Sequence, residues 1–170
     1  MNRLDDYTLG TTNDRLVFGS SDEARDIALH MVRQCRRTLD IAARHLEPSM
    51  FEHADFIDAV RRLCLKNRHV RVRILVLQPE GLHRRGHALI DTAATLSSFI
   101  RVRVPGEEHR EYNEALLIAD EIGYMHRPQA DRYEGHANFR DPPYVGGLVR
   151  RFDELWDRSD SDSNFRRLSV

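Results

Sequence analysis

Asn113-Glu114-Ala115-Leu116-Leu117-Ile118-Ala119-Asp120, then Glu121-Ile122-Gly123-Tyr124-Met125 and, further on, Gly135-His136-Ala137-Asn138-Phe139, is the stretch of this 170-residue chain that decides its fold. Ala115 to Ala119 is an uninterrupted apolar run, short enough to read as a strand buried on both faces. Asp120-Glu121-Ile122-Gly123 reads as a turn, and Tyr124-Met125 as the partner strand.

Outward from this hairpin, strands alternate with helices. Arg15-Leu16-Val17-Phe18 is a short strand. Ser20-Ser21-Asp22-Glu23 then reads as a helix start, where a small hydroxyl caps the first free N–H groups and the acids suit the positive helix end. Ile27, Met31, Val32 and Cys35 follow at helical spacing, with the end expected near Arg36-Arg37. Leu39 to Ala43 is a second strand, and Pro48-Ser49 punctuates it. From Phe51 to Lys66, Phe56, Val60, Leu63 and Cys64 recur at three and four, which predicts one continuous helix. Val70 to Leu77 alternates and then turns wholly apolar, as a strand does on entering a sheet covered on both faces. His87 to Ser97 is a third helix, Ile100 to Val104 a further strand, and Val145 to Asp157 a last helix with Leu148, Phe152, Leu155 and Trp156 on one face. The pattern predicts an α/β fold: a single domain with a mixed β-sheet flanked by helices on both faces. Its expected parts are a polar N-terminal segment 1–14, a domain 15–158 and a C-terminal tail 159–170, in which Ser159 to Ser163 is a linker and Phe165 to Leu168 folds back onto the body.

Charged residues make up 31% and apolar residues 41%, the balance of an ordinary globular protein rather than a disordered one. The formal net charge of −1 lacks the basic excess of a dedicated nucleic-acid binder, although local patches can still take phosphates. Cys35 and Cys64 match no zinc or redox spacing and read as buried free thiols of a reducing compartment. The polar start Met1-Asn2-Arg3-Leu4-Asp5-Asp6 has no apolar core of a signal peptide, and no run approaches a membrane span; the expectation is a cytoplasmic protein.

The apolar run, Asp120, the turn glycine Gly123 and the Gly135 and Asn138 spacing together resemble the phospholipase D superfamily. That family carries H-x-K-x4-D, in which the x4 run is a buried strand and the aspartate opens a turn, followed by G-S-x-N on a neighbouring strand or loop. The resemblance covers most of the chain, and similar domains occur in bacteria, sometimes attached to acetyltransferases. It implies a histidine that attacks phosphorus and a lysine that steadies the phosphate oxygens. In this chain the histidine position is Asn113, the lysine position Ala115, and the serine of G-S-x-N is His136. An amide nitrogen has no usable lone pair and a methyl group no charge, so the covalent route through histidine is lost and no catalytic residue is assigned. A degenerate pocket of Asn113, Asp120, His136 and Asn138 is expected instead.

Each of these residues has two readings. By the resemblance Asp120 orients a missing partner; as a turn residue it simply accepts backbone N–H bonds. Asn138 either touches a phosphate or fixes a loop, His136 is either a stand-in acid/base or a polar residue with a local partner, and Asn113 fills vacated space. No H-E-x-x-H or supporting carboxylate spacing accompanies His83 and His87, so no metal is expected, nor is any cofactor motif present. Arg71 and Arg73 alternate with apolar residues on one strand and Arg101 and Arg103 on another; if those strands lie together, the four line a basic patch suited to phosphate, unless Glu107, Glu108 and Glu111 neutralise it. The functions in order of expectation are a binding or regulatory module for a phosphate-bearing ligand or nucleic acid, a homodimeric assembly module, and a phosphodiesterase-like enzyme with a rewired site.

Overall fold

The central hairpin fixes the rest of the architecture. In the computed structural model, which describes residues 3–160, Ala115–Ala119 forms β5 and Gly123–Arg127 forms β6, paired antiparallel with Leu117 opposite Met125. The reversal is a tight turn closed by the Ile122 N–H donating to the Ala119 carbonyl at 3.1 Å. Asp120 and Glu121 occupy its middle at φ 54° and 56°, the left-handed pair of a type I′ turn, whose twist matches that of the flanking strands.

Around this hairpin lie Leu16–Phe18 (β1), Thr38–Ala43 (β2), Arg71–Val76 (β3), Ile100–Arg103 (β4) and Gly135–Asn138 (β7). They form one mixed sheet of seven strands in the order β1-β7-β6-β5-β2-β3-β4. The β2, β3 and β4 neighbours run parallel, and all other pairs are antiparallel. Gly135 is obligatory in β7, because a Cβ there would run into the His126 carbonyl oxygen and the Phe18 ring.

Helices cover both faces, as expected from the sequence. Ser21–Gln34 (α1), Ala54–Cys64 (α3) and Ala88–Thr95 (α5) bury Ile27, Met31, Val60, Leu63 and Leu89 against Leu39, Ile41, Val72, Ile74 and Leu117. On the other face Pro142–Asp157 (α6) packs Val145, Phe152, Leu155 and Trp156 onto Ala42, Leu75, Leu116, Ile118 and Tyr124. Burying apolar surface on both sides is what makes the central strands apolar throughout. Cys35 and Cys64 are buried and unpaired.

Several boundaries differ from expectation. The helix expected over Phe51 to Lys66 is two pieces, Pro48–Phe51 (α2) and α3. Pro48, read as a breaker, instead opens the first turn, and His53 in extended conformation separates the pieces, its imidazole accepting the Asp55 N–H. α1 stops at Gln34, because Cys35 turns extended and the next N–H groups go to Asp120. Leu82–Arg85 (α4) is a single turn between Gly81 and Gly86, both at positive φ. α6 starts three residues early, with Asp141 capping the Tyr144 N–H and Pro142 in the first turn.

The expected N-terminal segment lies against the body: Tyr7 stacks on Phe139 at 5.6 Å, and the Gly10 N–H donates to the Phe139 carbonyl. At the other end Asp160 pairs with Val104. Most of the expected tail, including the fold-back at Phe165 to Leu168, lies outside the described residues.

Candidate functional site

The strand β5 carries two faces. Leu116 and Ile118, with Glu114 just before the strand, look toward α6, and Ala115 and Leu117 look to the opposite face. Sheet register extends each row sideways. Leu116 stands opposite His126 and His126 opposite His136, while Ile118 stands opposite Tyr124 and Tyr124 opposite Asn138. The α6 face at this corner is therefore polar, and Tyr144 from the first turns of α6 lies over it, its ring tilted against that of Tyr124 with centroids 4.5 Å apart.

These side chains form one hydrogen-bonded chain. His126 Nε2 is 2.7 Å from Glu114 Oε1 and its Nδ1 is 2.6 Å from the Tyr144 hydroxyl. That hydroxyl lies 3.4 Å from His136 Nε2, and His136 Nδ1 is 2.8 Å from the Tyr124 hydroxyl. One assignment of protons satisfies every member: Tyr124 donates to His136, His136 to Tyr144, Tyr144 to His126 and His126 to Glu114. Arg151 stands 3.7 Å from the second Glu114 oxygen and lies over the Tyr112 ring. Burial, then the charges of Arg15 and His126, hold His136 below the usual imidazole range, so the neutral form fits the chain. Burial pushes Tyr124 up to about 12 and also raises Tyr144, so both phenols stay protonated donors.

The four residues of the expected pocket do not converge. Asn113 is exposed just before β5, and its carbonyl accepts the Ala130 N–H at 2.8 Å. Asp120 lies past the other end of the same strand, roughly 20 Å away at the rise of a strand. Its carboxylate accepts the N–H groups of Arg36, Arg37 and Thr38 at 2.7–3.1 Å. Buried Asn138 donates to Asn13 Oδ1 and accepts the Arg140 N–H. His136 has a partner at each ring nitrogen. Gly135 to Asn138 belongs to β7, one strand beyond the neighbour of β5. It is Arg127 to Ala130, at the end of β6, that comes up beside Asn113 and Ala115.

Ala115 pairs directly across the hairpin with Arg127. Arg127 is buried, with Nε donating to the Arg132 carbonyl at 2.7 Å, Nη2 to the Ala130 carbonyl at 2.9 Å, and Nη2 3.3 Å from Glu47. A cavity of only about 20 Å³ remains among Met50, Phe51, Ala115, Met125 and Arg127.

The basic patch expected from Arg71, Arg73, Arg101 and Arg103 is a correction. β3 and β4 do pair, with Arg73 opposite Arg101, but α6 covers that face. Arg73 is 6% exposed and bonds Asp40 with two nitrogens, at 2.8 and 3.1 Å, and Asp153 at 2.8 Å. Burial works against its charge, yet the bonds to Asp40 and Asp153 outweigh that and raise its pKa. Arg103 lies over Trp156 and donates to its carbonyl, and Arg71 stands 3.7 Å from Glu121. Arg101 alone of the four is exposed without an acidic partner among the described residues.

Sequence reasoning missed Glu114, Tyr124, His126 and Tyr144. For Glu114, Tyr124 and His126 the signal was the period-two alternation on either side of the turn, readable once the hairpin register is known; Tyr144, on α6, had none. Among the described residues no group of three or more His, Cys, Asp or Glu side chains is arranged to hold a metal, and no helix is long and apolar enough to cross a membrane.

Comparison with solved structures finds the same fold. The chain superposes on Nuc of Salmonella typhimurium, a phospholipase D family member, with a TM-score of 0.63 at 14% identity, covering 88% of this chain and 99% of that one. NucT of Helicobacter pylori gives 0.62 at 14% identity, covering 88% and 98%. The archaeal chromatin protein TrmBL2 gives 0.64 at 16% identity; the match covers 87% of this chain, which spans about half, 54%, of TrmBL2. At such identities the likeness concerns the fold alone. Comparison with the curated proteins finds no match. The profile of one family, described as Domain of unknown function (DUF7931), matches residues 20–168. The chain belongs to that family, and its domain has the phospholipase D-like fold.

Proposed function

We propose that this chain is a phospholipase D-like module without phosphodiesterase activity, with residues 15–158 as its body, that binds a phosphate-bearing partner, nucleic acid foremost. The observation that carries the reading is the closed corner at the start of β5. Ala115 is 5% exposed and faces the buried guanidinium of Arg127, whose donors are engaged by Glu47 and two loop carbonyls. On the Ala115 face, among the described residues, the corner therefore offers phosphate oxygens a cation that is already engaged. The amide of Asn113 cannot take up a phosphoryl group. Losing one charge-stabilising donor alone costs roughly 10²–10³ in rate.

The binding part of the reading draws support from the retained scaffold. It also draws support from TrmBL2, whose structure is described as showing a novel mode of DNA binding. The test has two arms. Hydrolysis of bis-p-nitrophenyl phosphate is expected at the buffer rate, and a rate that disappears in His136→Ala would overturn the inactive reading in favour of a rewired enzyme. Fluorescence anisotropy with labelled DNA and RNA at low salt is expected to register binding that weakens as salt rises. No binding to any strand would remove the nucleic-acid reading.

A homodimeric assembly module is the second reading. Its supporting observation is the edge strand β1, where Val17 stands 77% exposed and one side of the strand has no partner among the described residues. Light scattering that gives a monomer at micromolar concentration would count against it.

A further inference from the structure

At the end of the sheet far from Asn113, the carboxylate of Asp120 shapes a surface. By accepting the N–H groups of Arg36, Arg37 and Thr38 it pins the link between α1 and β2, and both arginine side chains are left exposed. The link between α3 and β3 is tied to the same place. Lys66 Nζ donates to the Cys35 carbonyl at 2.6 Å, Asn67 Nδ2 to the Arg36 carbonyl at 3.4 Å, and the Arg71 N–H to the Arg37 carbonyl at 2.9 Å. Arg33, Arg36, Arg37, Lys66, Arg68 and Arg71 consequently share one end of the molecule, all exposed. Beside them a groove of about 540 Å³ is lined by Arg33, Arg62 and Lys66 against one carboxylate, Asp58.

Acids are few here. Asp58 bonds Arg62 at 2.8 Å, Glu121 stands 3.7 Å from Arg71, and the Asp120 carboxylate is turned to backbone N–H groups; the charged side-chain groups of Arg33, Arg36, Arg37, Lys66 and Arg68 have no carboxylate within 4.0 Å among the described residues. The whole chain carries 26 Lys and Arg against 27 Asp and Glu. A cationic end on a nearly neutral chain is charge segregation, and the potentials of neighbouring cations add over such a surface.

We infer that this end is the surface that takes the phosphodiester backbone of a nucleic acid. The inference rests on the binding reading above and adds the place of binding. The chemistry favours a nucleic acid over an anionic membrane on two counts. Five of the six cations named are arginines, whose planar forks bond two phosphate oxygens at once. Leu65, 76% exposed, is the one large apolar side chain open among them within the described residues, whereas a face that lies on a membrane presents an apolar stripe. Contacts of this kind go to phosphates and carry no sequence information, so recognition is sequence-tolerant.

The test compares wild type with Arg36→Ala/Arg37→Ala and with Arg84→Ala/Arg85→Ala, each variant checked for folding by circular dichroism. Arg84 and Arg85 are exposed on α4, at the other end of the sheet, and their loss removes the same net charge. Anisotropy with a labelled duplex and a labelled single strand is read against salt. The Arg36/Arg37 variant is expected to bind at least about tenfold more weakly at low salt, with the slope of log K against log salt reduced by about 2, while the α4 variant stays within about twofold of wild type. Equal weakening in both variants, or none in the first, would overturn the placement and leave the binding reading intact. Patch-dependent binding of phosphatidylglycerol–phosphatidylcholine vesicles without binding of either nucleic acid would assign the surface to lipid and overturn the inference. No binding of wild type to any probe would remove the binding reading itself, and the inference with it.

Discussion

Asp120 combines a left-handed backbone, φ 54°, with a carboxylate that takes three backbone N–H groups and lies 3.3 Å from the Cys35 thiol. An aspartate tolerates that conformation better than most residues, and a hydrogen bond to a charged group contributes about 1.5–3 kcal/mol. Asp120→Ala is therefore expected to destabilise the fold by about 3 kcal/mol or more, and Asp120→Asn by clearly less; urea unfolding of the two variants checks the order. Burial, then the neighbouring Asp120 charge, drives the Cys35 thiol well above its usual range, so this cysteine is expected to resist alkylation while folded. Two histidines give the molecule a pH dependence. Burial lowers His87, whose Nδ1 accepts the Leu89 N–H as the cap of α5, and burial also lowers His136. A folded imidazole that resists protonation leaves the unfolded chain binding more protons below about pH 6.5, so stability falls as pH falls through that value. Urea midpoints at pH 7.5 and 5.5 test this; equal midpoints would contradict it.

Elements were legible where one local pattern governed them. Five apolar residues in β5 and the spacing in α3 needed no tertiary information. The patterns misled where a distant group intervened, as at Cys35, where Asp120 from the hairpin ends α1. They also misled on β3. Its Arg71 and Arg73 alternate as an exposed face would, yet Arg73 is buried under α6 between Asp40 and Asp153. Removing one partner of such a pair strands the other charge, so Arg73→Met and Asp40→Leu are each expected to cost about 3–5 kcal/mol, and the double variant less than either single one. Chemical denaturation of the three variants measures the coupling; simple additivity would mean that the pair does not act as a unit.

Over the whole molecule, the closed corner and the cationic end stand at opposite ends of β5 and make opposite demands. The first is packed tightly enough that placing the histidine and lysine of the phospholipase D signature there is not expected to create phosphodiesterase activity. A lysine at position 115 would meet the buried Arg127 and a space already filled by Met50 and Phe51. Ala115→Lys is expected to cost roughly 1–3 kcal/mol by overpacking alone. Asn113→His with Ala115→Lys is expected to hydrolyse bis-p-nitrophenyl phosphate no faster than buffer. Thermal unfolding and a spectrophotometric assay check the two outcomes, and a folded, active double variant would mean that the corner opens more readily than its packing implies.

The sequence by itself determined the α/β class, the central hairpin and the absence of histidine and lysine at the start of β5. Those features depend on side-chain period and on the chemistry of single residues, which neighbours in the chain already express. Only the tertiary structure decided which polar residues meet. Glu114, His126, His136 and Tyr144 come from four separate stretches of the chain, and Asn67 meets the Arg36 carbonyl and Arg71 the Arg37 carbonyl where Asp120 holds the link between α1 and β2. The physical reason is that charge and hydrogen bonding act through space, between residues whose separation in the chain carries no trace of their contact.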